Sequence, residues 1–192
     1  MPHSQQMSFM LMGETLAPAS TSAPTPEVKR AIGALQITDV YLKSSSLHTK
    51  EQWDPKRADL SNLRYQFLHV IDKSEIIDVE ERDGSAGDTA TAKSFFLVYI
   101  TLGSRIVDES APEAEIKNKQ AQEPLAQIEA SFVAEYSISE DFDTADEEAL
   151  KAFALSHASF HVWPYWREYL MSTCTRLNLP KIPLPVKQFV KS

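Results

Sequence analysis

The cleanest alternation of apolar and polar positions lies between residues 126 and 138. Ala126, Ile128, Ala130, Phe132, Ala134, Tyr136 and Ile138 fall on one side of an extended chain. Gln127, Glu129, Ser131, Glu135 and Ser137 fall on the other. A period of two predicts a strand buried on one face. Small and large residues alternate on the apolar side, which suits close packing against a helix. Three further strands are predicted upstream. Leu35 to Leu42 is rich in β-branched and aromatic residues and polar at Gln36, Thr38 and Asp39. From about Asn62, Leu63, Tyr65, Phe67, His69 and Ile71 alternate with Arg64, Gln66, Leu68 and Val70. Phe95 to Leu102 is an almost unbroken apolar run ending at Gly103, the pattern of a central strand covered on both faces. Between these strands, Glu80 to Asp88 reads as a polar turn and Ser104 to Glu123 as a charged connector. The connector has room for a short helix around Glu113 to Gln120.

The period changes after residue 143. Thr144-Ala145-Asp146-Glu147 is a capping-box sequence, opening a helix through Ala149, Leu150, Phe153 and Ala154. Pro164 suits the first turn of a second helix, running from Tyr165 to Leu177 and stopped by Asn178 and Pro180. Trp166, Leu170, Thr173 and Leu177 form one ridge of it; Tyr165, Tyr169, Ser172 and Arg176 form the next. With aromatic residues on adjoining faces, Tyr165, Trp166, Tyr169 and Leu170 are predicted to form an oligomer interface. The expected assembly is a homotetramer of paired dimers. The expected fold is α+β, a four-stranded antiparallel sheet with helices on one face, over residues 30–192. Residues 1–29, Pro-, Ser- and Thr-rich, are expected to be a flexible leader.

Composition narrows the function. A hydrophobic fraction of 43% and a charged fraction of 24% are those of a globular domain. A formal net charge of −8 argues against nucleic acid and anionic membranes as partners. The apolar stretch Met7 to Met12 is too short to span a bilayer and lacks the basic residues that begin a secretory signal. One cysteine, Cys174, excludes an internal disulfide and points to the cytoplasm. Buried in a helix, it reads as inert packing. His157 and His161 lie four apart, but no acid stands between them as a metalloprotease helix requires, so a polar subunit junction is the better account. With no Gly-rich phosphate loop and no nucleophile elbow, neither an enzyme nor a cofactor nor a metal is expected.

Three ordered stretches carry a resemblance. Leu35-Gln36-Ile37-x-x-Val40-Tyr41-x-Lys43, Trp53-Asp54-Pro55, and Pro164-Tyr165-x-Arg167-Glu168 leading to Leu179-Pro180-x-Ile182-x-Leu184 resemble the bacterial export chaperone SecB and its relatives. The resemblance covers about residues 33 to 189. It implies a holdase that binds unfolded polypeptide without ATP, in service of export or of a special client such as an aggregation-prone antitoxin. It also implies that Trp53, Leu63, Tyr65, Phe67, Leu179, Ile182 and Leu184 line the client surface, since apolar side chains without a partner in the subunit make grooves for extended segments. For Tyr65 and Phe67, core or interface is the competing account. A small-molecule or lipid carrier using the same cavity is the alternative from another class. Two departures bear on the partner. The family's docking acids for the SecA motor are replaced by Ser44 and His48, so the SecA partnership is left open. The final helix that flanks the SecB groove is not expected after Phe189.

Overall fold

The computed structural model describes residues 24–81, 91–109 and 123–184. Four strands form one antiparallel sheet in the order β1-β4-β3-β2: β1 (Leu35–Thr49), β2 (Leu63–Glu81), β3 (Thr91–Asp108) and β4 (Ala126–Ile138). β1 and β2 are therefore the two edges, joined by a crossover that packs Trp53 against the core. β4 matches its predicted bounds. The other three run well beyond theirs, because cross-strand pairing carries chain that propensity alone does not favour: Ser44 to Ser46 pair with Ser131 to Glu129. β3 continues through Ser104 to Asp108, so the connector begins later than expected. The polar turn after Glu81 and the helix sought around Glu113 lie outside the described residues.

One face of the sheet is covered. Phe96, Val98, Ile100, Leu102 and Ile106 of β3 and the seven-residue apolar set of β4 point to it, nearly all fully buried. Over them lie α2 (Glu147–Phe153), a π-helical turn (Ala154–Ala158) and α3 (Ser159–Arg176) in one continuous run. Asp146 caps α2, its carboxylate accepting from Ala149 N at 3.1 Å. Tyr136 meets Phe153 edge-on at 5.0 Å between ring centres, and Phe132 meets Tyr169 at 6.3 Å. Burying a side chain such as Leu170 contributes roughly 1.5–3 kcal/mol, so this seam holds the layers together.

Two helical features differ from expectation. α1 (Pro26–Ala34) starts inside the stretch read as leader; Pro26 takes the first turn, Val28 and Ala31 are buried, and Arg30 pairs with Asp146 at 2.8 Å. Pro164 lies inside α3, because the helix runs on from the π turn and is already formed at Ser159. It is exposed there, where the carbonyl its missing N–H leaves unpaired can turn to water.

The apolar residues of β1 keep to the covered face only because of two bulges. Thr38 and Lys43 are extra residues between the pairs Ile37/Tyr136 and Asp39/Glu135, and Leu42/Phe132 and Ser44/Ser131. Leu35, Ile37, Val40, Leu42 and Leu47 thereby share one side. The opposite, open face carries a polar network. Lys43 and Lys73 sit over the Tyr99 ring at 4.4 and 4.3 Å. The Tyr99 hydroxyl donates to Glu75 at 2.6 Å, a bond to a carboxylate that pushes its pKa up to about 12.

Candidate functional site

The chain reverses at the end of α3. Asn178 takes a left-handed conformation (φ 54°), one that Asn tolerates, and Leu179 N donates to Cys174 O at 2.9 Å. The segment after it is held extended by Pro180 and Pro183 and laid back along the helix. Its anchors are Leu179 and Ile182, both buried in the core. Cys174 lies beneath, its thiol pushed up by burial.

This return creates a cleft of about 490 Å³. One wall is Tyr65 at the start of β2, another is Arg167 and Met171 of α3, and the third is the tail from Lys181 to Leu184. Such a volume is within the range of ordinary ligand sites. Burial raises the Tyr65 phenol above its usual pKa, so the ring enters the cleft as a neutral, largely apolar surface. The two cations, Arg167 and Lys181, stand at its sides.

Of the predicted client residues, Tyr65, Ile182 and Leu184 come together here. Trp53, Leu63 and Phe67 are half-buried and pack on the core, but none of them lines this cleft. Leu179 and Ile182 require a correction: their side chains are not free of partners in the subunit, because the reversal at Asn178 turns them inward. Arg167, Met171 and Lys181 were missed. Arg167 stood in the quoted motif, yet only the tail's return gives it a site to face.

The predicted interface is also redrawn. Trp166 and Leu170 are fully buried within the subunit and cannot meet a partner. It is the first ridge of α3, Trp166, Leu170 and Thr173, that is buried against the core. Tyr169 is half-buried, stacked on Trp166, and only Tyr165 is substantially exposed, at 48%. Exposed apolar side chains cluster instead on β1: Ile37, Tyr41, Leu42 and Leu47. Ser44 and His48 are exposed on the same strand, on its open face. Among the described residues no group of three or more His, Cys, Asp or Glu is placed to hold a metal ion, and no helix is long and apolar enough to cross a membrane.

No family model matches the chain. Two curated relatives do. It is 27% identical over 112 residues to the SecB-like chaperone Rv1957 of Mycobacterium tuberculosis strain H37Rv, and equally to the SecB-like chaperone MT2006 of strain CDC 1551. The match takes in 57% of this chain and 62% of each relative. A solved structure of Rv1957 superimposes with a TM-score of 0.55 over 87% of this chain and 100% of that one, at 23% identity. The chain resembles these SecB-like chaperones in sequence and shares the fold of one of them. The expected architecture, four antiparallel strands with helices on one face, is that of the SecB-like neighbour. The match spans less than two thirds of the curated relatives' length, about 62% of each. The solved neighbour is described in complex with a ChAD peptide from the antitoxin HigA1.

Proposed function

We propose that this SecB-like protein is a holdase chaperone that binds extended segments of non-native polypeptide without ATP, in the cytoplasm and as a homotetramer. The observation that carries the reading is the cleft beside the tail. Its lining alternates apolar surface (Tyr65, Met171, Leu184) with peripheral cations, and its long wall is an extended proline-spaced segment. An unfolded chain offers apolar side chains at intervals along a polar backbone, which such a lining accepts without a fixed sequence. Trp53, Leu63 and Phe67 extend the apolar surface beyond the cleft, each half-buried and so retaining area to give.

A dedicated client is favoured over general export by two facts. The SecB-like neighbour holds an antitoxin peptide, and Ser44 and His48 take the places of the acids that the resemblance assigns to SecA docking. Exposed complementary charges contribute about 0.2–1 kcal/mol each, so loss of two weakens such a contact by roughly tenfold. Calorimetry against the SecA tail is expected to show weak or no binding, restored by Ser44→Asp with His48→Glu. Tight, salt-sensitive binding by the unmodified chain refutes the loss of that partner.

The decisive experiment is suppression of aggregation. The purified protein is expected to hold a chemically unfolded substrate in solution without nucleotide. Tyr65→Ser with Met171→Ser is expected to reduce that protection while circular dichroism stays unchanged. A protein that gives no protection at any ratio to substrate is not a holdase.

A further inference from the structure

The charges of this chain are unevenly shared. All 27 acidic residues lie at or before Glu168. From Tyr169 to Ser192 there is no Asp or Glu, and Arg176, Lys181, Lys187 and Lys191 are basic. The chain thus ends in a basic, acid-free stretch although its formal net charge is −8. The tail cleft draws one wall from that stretch.

Two cations flank the cleft, Arg167 from α3 and Lys181 from the tail, and both are exposed. No ion pair among the described residues includes either of them. Arg30, Lys50, Arg57, Arg64 and Lys73, by contrast, each stand beside a carboxylate. The positions three and four residues from Arg167 on its helix are Trp163, Pro164, Leu170 and Met171, so α3 offers it no acid. Lys181 has a fixed origin, because Leu179 and Ile182 are buried on either side of it in sequence and pin the backbone there. The rest of the lining is apolar or neutral: Tyr65, Met171, Ile182, Pro183 and Leu184.

A purely apolar segment in this cleft takes water from both cations and gives nothing back. A basic segment is repelled by them. A segment with a carboxylate beside its apolar residues meets both demands of the lining: the Arg167 guanidinium can give a carboxylate two parallel N–H···O bonds, and Lys181 adds a point charge from another wall. We propose that the tail cleft selects polypeptide segments in which Asp or Glu side chains accompany apolar residues, with Arg167 and Lys181 as the specificity-determining residues. This selection rests on the polypeptide-binding reading above and names the class of segment that the same site takes. It runs against the field of the whole molecule, since a net negative protein attracts basic segments and repels acidic ones. The sign of the charge preference therefore distinguishes the cleft from the molecule at large.

The test uses the full chain and three probes of the form acetyl-Xaa-Val-Leu-Tyr-Ile-Xaa-amide, with Glu, Gln or Lys at both Xaa positions. Blocked ends confine the charge to the side chains. Binding is read at the cleft itself, from the Met171 methyl signal, at low and at moderate salt. The Glu probe is expected to bind about tenfold more tightly than the Gln probe at low salt, from two exposed charge contacts of roughly two- to fivefold each. The Lys probe is expected to bind more weakly than either, and added salt to narrow the differences. Arg167→Gln and Lys181→Gln should each lower affinity for the Glu probe roughly two- to fivefold and leave that for the Gln probe unchanged. Arg167→Gln combined with Lys181→Glu should reverse the order and favour the Lys probe. Arg176→Gln, exposed in the same acid-free stretch but outside the cleft lining, should change nothing. All variants should keep the circular dichroism spectrum. Equal affinity for the three probes, preference for the Lys probe, or an Arg176→Gln effect as large as that of Lys181→Gln each overturn the proposal. Where Met171 still responds, such a result removes only the charge selection. A Met171 signal silent to all three probes removes polypeptide binding at the cleft itself.

Discussion

β1 and β4 are neighbours of similar length, paired along their whole extent, yet they meet different surroundings. β4 lies inside the sheet, and its apolar face is sealed under the helical layer. β1 lies at the edge and buries only Leu35 and Val40. The contrast is sharpest at one pair. Phe132 is 3% exposed, while Leu42, directly opposite in the register, is 43% exposed. Both residues face the same way, so the difference is cover and not orientation. The covered strand stabilises the subunit; the uncovered one presents Ile37, Leu42 and Leu47, apolar groups of the kind that stabilise association. Single-copy burial thus separates residues that fold the chain from those that stay uncovered.

The largest effect that breaks or sustains this contrast is expected at Phe132. Phe132→Ala should cost about 3–5 kcal/mol in urea unfolding, the usual range for emptying an aromatic core site. Leu42→Ala in the same experiment should cost under about 1.5 kcal/mol in subunit stability, because much of its side chain already meets water. Equal losses at the two positions would erase the distinction.

Next in size is assembly. Leu42→Lys combined with Leu47→Lys is expected to reduce the mass seen by light scattering while leaving the circular dichroism spectrum unchanged. Tyr165→Ala should have the weaker effect on mass, since a single exposed ring remains on α3. If the Tyr165 variant dissociates and the β1 variant does not, the interface lies on the helix as first expected.

The smallest effect concerns pH. His157 and His161 have folded-state pKa values depressed from 6.5, chiefly by burial and for His161 also by its neighbour. The unfolded chain therefore binds more protons between the folded values and 6.5. Stability is full above 6.5 and declines as pH falls through that window. In His157→Phe with His161→Asn this part of the slope should flatten; an unchanged profile would place it on other groups.

The same two strands show what the sequence makes legible. β4 announces itself because one face is apolar and the other polar throughout, and a central position preserves that signal. β1 was visible only to Leu42, since Ser44, Ser45 and Ser46 have no preference of their own and become strand by pairing with β4. α1 was hidden by its neighbours: Pro26 closes a Pro-rich stretch and only then opens a helix. At the site, Tyr65 was readable from the alternation of β2, and Ile182 and Leu184 as apolar groups spaced by prolines. Their convergence with Arg167, Met171 and Lys181 was not, because it depends on the reversal at Asn178, a backbone event that spacing does not reveal.

The two bulges in β1 have a consequence for how this strand can change by insertion and deletion. Its apolar residues are spaced 2, 3, 2 and 5 apart (35, 37, 40, 42, 47). Each odd step contains one looped-out residue, Thr38 or Lys43, that restores the phase. Such a strand behaves like a reading frame with two compensated shifts. Excising Thr38 alone would join Ile37 to Asp39, whose partners Tyr136 and Glu135 are already adjacent, and would leave Leu35, Ile37, Val40 and Leu42 on one face. Removing Lys43 as well would give an unbulged strand with the same two faces, whereas one residue added elsewhere without a further bulge would invert everything on one side of it. Length variants among relatives should therefore lose either of these two positions independently, and gain residues in this strand only as further bulges.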